Sequence, residues 1–423
     1  VRVTTLAEYR PEPGRLIEFL PVPTGAPREH PAPPSFNQGF HLKNPSTWLA
    51  FAFDLPARLD AEVLRNAFKR WIHRHDALRS AFRSTATGFR RLVVDNPDVT
   101  VHDHGGVEPH DWLTRRLSEA CDPFTWPPYL LTAIARPNGF TVFCGFDHSA
   151  VDGYSLALAV SEVARLYNSD APPLPPTSFV AYCAEEHSPD PLPGKVVRTW
   201  TDFITACGGT TPTFPLNLGT TTPCPQATDV RRLLDAPTTE QFEETCRDSG
   251  AKVFAGVLAA FGTALRDMGA GTTIRLLTPL HTRQTPSRRD AIGWFTTTAP
   301  LTLDVDAHEP ARAAQLAFDS ARAASTLHLP ALFAHLRDTF RPTTADVFMV
   351  SYIDYRHFPD ATRHIDWNAH HISATTSTDN AQFWVSRTHE GLHLRTRYPA
   401  TDIAERAISA LLARLSGGAL LRA

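Results

Sequence analysis

The sequence predicts two mixed α/β halves of similar size, joined by an irregular connection. Its 423 residues are too many for one ordinary core, at about 150 residues per domain. Each half alternates strand-length runs of β-branched and aromatic residues with amphipathic helical stretches. Between Asp170 and Pro225 the composition shifts to proline, threonine and glycine (SDAPPLPPTS, GGTTPTFP, TTTPCPQ), as expected of an interdomain segment. The expected division is therefore 1–175, a connection over 176–228, and 229–423.

Residues 10–34 are proline-rich and read as irregular, leading into SFNQGFHL. WLAFAFDL (Trp48–Leu55) reads as a strand. LDAEVLRNAFKRWIHRHDALRSAF follows as a helix, with Val63, Leu64, Ala67, Phe68, Trp71 and Ile72 on one face. RRLVVD and FTVFCGF are further strands. Past Asp152 and Gly153, Leu156, Val160, Val163 and Tyr167 recur at helical spacing. VVRTWTDFITA reads as a helix inside the connection. The second half opens on TTEQFEETCRDSG, where Thr238 and Gln241 fit a capping box. A helix follows with Val253, Phe254, Val257, Leu258, Phe261 and Leu265 on one face, stopped near Gly269. TIRLLTPL, TTTAPLTLDV, VFMVSYI, QFWVSRT and LHLRTRY read as strands, and DIAERAISALLARL as a final helix.

Composition excludes several classes. A net charge of −3 gives no electrostatic case for nucleic acid or an anionic membrane as partner. The six cysteines lie far apart with no C-x-x-C pair, which argues against a zinc site, a redox pair or a disulfide scaffold. VRVTTLAEYRPEPGRL has no apolar core of a signal peptide, and no stretch approaches the roughly 18 apolar residues of a membrane span. The expectation is a reduced, cytoplasmic protein with no metal. A G-x-S-x-G elbow, a P-loop and a dinucleotide G-x-G-x-x-G are all absent, which disfavours a covalent intermediate on an elbow serine.

The informative stretch is GFDHSAVDGYS, Gly145–Ser155. A strand runs into His148, and Asp152-Gly153 then breaks the chain before a helix. Histidine titrates nearest neutrality, so at a strand end it suits proton abstraction. The same position suits a hydrogen-bonded core histidine, and spacing alone leaves both readings open. Asp152 is placed to cap free amides or pair with an arginine. Gly153 allows close backbone approach or an unusual dihedral. His73 and His75, two apart on a helix, read as surface residues rather than ligands. His370-His371 has no Asp-Gly after it and reads as structural.

FDHSAVDGYS resembles the H-H-x-x-x-D-G motif of the condensation-domain superfamily, acyltransferases that share the chloramphenicol-acetyltransferase-like fold. FDLPARLDAEVLRNAFKRWIHRHDALRSAF is similar to the family's first strand and helix. TPLHTRQTPSRRDAIGWFTTTAPL is similar to its later arginine and "IG-x-F-x-N-T-x-P-L" segment. SYIDYRHFPDA and FWVSRTHEGLHLRTRYPATDIA look most like the polyketide-associated acyltransferases. These segments run in family order from about residue 36 to 415.

The resemblance implies two lobes in a V with a central tunnel, entered by donor and acceptor from opposite faces. It implies a free-standing acyltransferase of secondary metabolism or lipid assembly. The acyl group would move from coenzyme A or a carrier-protein phosphopantetheine arm to a hydroxyl, with no tightly bound cofactor. Amide formation of the peptide-synthetase type is the alternative, and so is a non-catalytic module that recruits a carrier protein or enzyme. Carried over by position, His148 matches the catalytic base and Asp152 the structural aspartate. Arg283 matches the aspartate's arginine partner in the second lobe, and Gly153 the glycine that keeps the channel open. Asp147 replaces the motif's first histidine, and an added carboxylate there could raise the pKa of the base. Thr296–Thr298 replace the usual hydrophobic-Asn-Thr. Trp294 and Thr296 are expected along the tunnel.

Overall fold

A computed structural model describes residues 1–45, 47–170 and 176–420, so the expected boundary at 175 lies outside the described residues. The chain forms two compact units. The first comprises Val1–Ser188, His281–Thr296 and His357–Thr375. The second comprises Pro189–Leu280, Thr297–Arg356 and the segment from Thr376 onward. These differ from the contiguous halves read from sequence. Two later segments join the first unit because their partners are there: a strand in its sheet and an ion pair to Asp152. The expected connection also holds two helices, Phe179–Glu186 in the first unit and Gly194–Ala206 in the second.

In chain order the first unit contains β1 (Arg2–Thr5), β2 (Arg15–Val22), β3 (Arg28–His30), α1 (Phe36–His41), β4 (Trp48–Leu55) and α2 (Ala61–Arg74). There follow β5 (Ser80–Thr85), β6 (Gly88–Val93), β7 (Asp98–Gly105), α3 (Pro109–Ala120), β8 (Tyr129–Arg136), β9 (Gly139–Asp147), α4 (Gly153–Tyr167) and α5 (Phe179–Glu186). Its large sheet runs β1, His370–Ser373, β4, β9, β8, β2, β7, and β3, β6 and β5 form a small one. β4 and β9 are antiparallel, with Trp48 opposite Asp147.

β9 is buried from Phe140 to Asp147, which is why it reads as a continuous apolar run. Alternation still sorts its side chains between two layers. Phe146, with Phe51 of β4, meets Trp71 of α2 edge-on. Phe143 faces the other way, into a cluster with Trp112, Leu113 and Leu117 of α3. At Gly145 an added Cβ would sit 2.2 Å from Leu117, so glycine is what lets α3 close on the strand. α2 starts where Asp60 accepts from the amides of Glu62 and Val63, and it packs against α4.

β2 corrects the sequence reading of residues 10–34 as irregular. RLIEFLPV is an eight-residue strand with Leu16 and Phe19 buried. Its pairing with β8 ends at Glu18, so Pro21 needs no amide on that side.

The second unit has its own seven-stranded sheet. The order is Thr296–Asp304, Thr273–His281, Met349–Asp354, Gln382–Thr388, Gly391–Pro399, Cys224–Asp235, Ser377–Thr378. Helix Val253–Arg266 is buried on nearly every face and packs on helix Pro310–Ala323. Its Phe261 meets Phe383 of the sheet with ring centroids 4.8 Å apart. The preceding helix spans Ala236–Asp248 and is capped by Asp235, not by the expected Thr238 box. Aspartate caps at least as well as threonine, and Pro237 fits the first turn, so the earlier start wins.

Candidate active site

Beyond β9 the chain makes a tight turn and starts α4 at once. Asp147 shapes that turn: its Oδ1 accepts from Ser149 N at 2.9 Å, and its carbonyl from Ala150 N at 3.0 Å. The amide of His148 donates to Thr47 O at 3.1 Å, tying the turn to the approach to β4. Asp152 caps α4, accepting from Ser155 N and Ser155 Oγ, each at 2.8 Å.

The second oxygen of Asp152 meets a fully buried arginine. Arg283 Nη1 donates to Oδ2 at 2.7 Å and Nη2 to Oδ1 at 3.0 Å, a bidentate pair. Nη2 also donates to Gly293 O at 3.0 Å, so the guanidinium laces the Thr282–Thr296 loop to the start of α4. The rings of Tyr154 and Phe295 lie 4.4 and 4.7 Å from its central carbon. Burial works against the charge of Asp152, yet Arg283 and Ser155 together hold its carboxyl below the usual range. The resemblance put Arg283 in the second lobe, whereas it packs inside the first unit.

His148 projects differently. Its ring stacks on Trp294, with centroids 3.8 Å apart and planes at 27°. Among the described residues no other residue hydrogen-bonds its buried Nδ1. Burial, with His41 adding to it, lowers its pKa to about 4, against the opposing pull of Asp147 and Asp152. Asp147 does pull this pKa upward, as expected of an extra carboxylate, but desolvation of the imidazolium outweighs it. At neutral pH the ring is a neutral imidazole with an unprotonated nitrogen.

The other expected residues fall close by. Thr296 Oγ1 donates to Asp152 Oδ2 at 3.3 Å, so its hydroxyl serves the motif aspartate. Gly153 has ordinary backbone geometry, and an added Cβ would meet nothing within 4 Å. Neither close approach nor a special dihedral requires glycine there; what it leaves is open space beside the helix start. His75 is buried, not a surface residue, with Nε2 2.7 Å from Glu162 and Nδ1 accepting from Ile292 N at 3.3 Å. Among the described residues no cluster of three or more His, Cys, Asp or Glu could hold a metal ion, and no helix is long and apolar enough to cross a membrane.

One functional candidate went unread in the sequence. His41, the last residue of α1, lies with Nε2 2.9 Å from Asp147 Oδ2 and its ring 6.2 Å from that of His148. A partial signal existed in SFNQGFHL: Ser35 and Gln38 form a capping box, which marks α1.

A family model described as "Condensation domain" matches residues 40–337. The chain belongs to the condensation-domain family. Among curated relatives of this condensation-domain protein, acyltransferase PapA3 of Mycobacterium tuberculosis (strain H37Rv) is 29% identical over 349 residues, 75% of this chain and 74% of that protein. Trehalose-2-sulfate acyltransferase PapA2 of Mycobacterium bovis (strain AF2122/97) is 26% identical, covering 98% of this chain and 95% of its own. Among solved structures, a PapA2 acyl transferase superposes with a TM-score of 0.90 at 23% identity, covering 100% of this chain and 99% of that one. The first condensation domain of the CDA synthetase gives 0.68 at 14% identity, covering 93% and 96%. At these identities the two structures share the fold, which is the mixed α/β, chloramphenicol-acetyltransferase-like one. The condensation-domain protein is an acyltransferase.

Proposed function

We propose that this acyltransferase moves an acyl group from a thioester, of coenzyme A or a carrier-protein phosphopantetheine, to a hydroxyl of a lipid or secondary metabolite. His148 is the general base. The observation that carries this reading is the setting of that ring: it stacks on Trp294 in the turn between β9 and α4, at the position of the motif's second histidine, and is neutral there. The relative named for trehalose 2-sulfate favours a sugar-like alcohol as acceptor.

The step balances without a covalent enzyme intermediate. The acceptor O–H gives its proton to His148 as its oxygen attacks the thioester carbonyl carbon. The tetrahedral oxyanion collapses, the C–S bond breaks, and the leaving thiolate takes the proton back from the imidazolium. Asp152 and Arg283 touch neither substrate; they fix the start of α4 and so the turn before it. A positioned base supplies roughly 10²–10⁴-fold, and holding donor and acceptor together supplies more.

The test is acceptor-dependent thiol release from a panel of acyl-thioesters offered with alcohols and amines. His148→Ala is expected to lower kcat by about 100-fold or more while the protein stays folded. Release that survives the substitution overturns the role of His148. Release with amines alone replaces ester formation by amide formation.

A further inference from the structure

Asp147 is a carboxylate with 1% of its side chain exposed, and a buried carboxylate needs donors. It has two: Ser149 N on Oδ1, and His41 Nε2 on Oδ2 at 2.9 Å. Among the described residues, His41 is the only basic side chain within ion-pair distance of it. That distance and the acceptor's charge assign the Nε2 proton to His41.

α1 grips the turn twice. Gln38 stands three residues before His41, hence on the same helix face. Its Nε2 donates to Ser149 O at 2.7 Å, while its Oε1 accepts from Ser35 N at 3.0 Å and Arg91 Nη2 at 2.8 Å. Those acceptor contacts fix which way the amide points. Gln38 and His41 thus hold the carbonyl and the carboxylate that flank His148. The His41 ring also stands edge-on to Trp294 at 6.0 Å, the same indole that His148 stacks on.

We propose that His41 is a positioning residue of this site: with Asp147 it forms a hydrogen-bonded histidine–carboxylate pair, standing where the motif's first histidine is missing, that braces the turn and offsets the carboxylate beside His148. The charged groups around His148 support the balance. Asp152, at the start of α4, is neutralised by Arg283 from the Thr282–Thr296 loop. Cys121, after α3, faces Asp147 as a protonated thiol, its pKa pushed well up by burial. Asp147 on its own strand is then the one carboxylate left, and His41 from α1 offsets it.

The catalytic consequence rests on His148 being the base; the pair itself does not. Removing His41 leaves Asp147 unbalanced next to His148, so the neighbouring imidazole should bind its proton more tightly. An opposite charge within about 4–6 Å is worth one or more pH units.

The experiment is an NMR titration of the whole chain carrying ring-labelled histidine. The His148 signal among the 19 is identified by its loss in His148→Gln. In folded His41→Ala its midpoint is expected to rise by about one unit or more. In the double variant His41→Ala/Asp147→Asn it is expected to fall back towards wild type, because the uncompensated charge is gone. His41→Leu, which removes the donor to Asp147 and keeps side-chain volume, should show the same rise and serves if the alanine variant does not fold. A midpoint unmoved in either folded variant overturns the proposal, since a merely structural His41 would change stability and not proton affinity. Thiol release that survives His148→Ala would instead overturn the base assignment, and the titration would still judge the pair.

Discussion

Asp152 is charged while almost wholly withdrawn from water, and every lone pair it offers is spoken for by Arg283, Ser155 or Thr296. Such a pair adds little net stability, but breaking one side strands the other charge. Arg283→Met is therefore expected to cost about 3–5 kcal/mol. Arg283→Met/Asp152→Asn should recover part of that loss, which urea unfolding of the three variants would read as coupling. His148 sets the pH behaviour. With its pKa near 4, the acid limb of kcat/KM should lie near pH 4 rather than near the ordinary histidine value of about 6.5, with activity falling only below it. The same shift costs stability in acid: between about pH 6.5 and 4 the unfolded chain binds a proton that the native ring refuses. A melting temperature constant across that window would contradict it. His148, Asp152 and Arg283 were legible because strand, turn and helix follow within a few residues and Arg283 matches by motif. His41 was not, because its partner Asp147 lies 106 positions away and nothing local marks the meeting.

Two contacts hold the start of α1. Ser35 caps it reciprocally with Gln38, and the amide of Phe36 donates to Glu186 at the end of α5. Among the described residues Glu186 has no basic partner, and burial pushes its carboxyl up to about 8. The sign follows. Below about pH 4.5 the group is protonated in both states, while between 4.5 and 8 only the unfolded chain ionises, so stability falls as pH rises. Glu186→Gln keeps the acceptor for Phe36 and removes that loss. It should raise the melting temperature by several degrees at pH 8 and hardly at pH 4, and an equal effect at both would refute the assignment. Ser35→Ala should cost about 1 kcal/mol of stability, read by the same melts. At this scale the long amphipathic helices and apolar strands were plain in the sequence, since their period is set by burial. β2 was hidden by the prolines around it. α5, inside the connection, was hidden because Pro and Thr dominate the residues before it, whereas helix Gly194–Ala206 was read as VVRTWTDFITA.

The two units are not the two halves of the chain. Composition predicted two α/β bodies, which exist, but it carries no record of which distant segment completes which sheet. The strand His370–Ser373 sits between β1 and β4, parallel to one and antiparallel to the other. Residues 1–188 expressed alone should therefore lack a cooperative unfolding transition and be cleaved rapidly by protease, while a sharp melt would refute this. The same strand constrains synthesis. Arg2 pairs with His370, so β1 cannot find its place until His370–Ser373 has left the ribosome. At about 5–20 residues per second that is a wait of roughly 20–70 seconds. Throughout it, WLAFAFDL offers an unpaired apolar edge to any neighbouring nascent chain. This hazard belongs to translation alone: the folded molecule no longer carries it, and a holding chaperone would be needed only from the emergence of β4 until His370–Ser373 has been made.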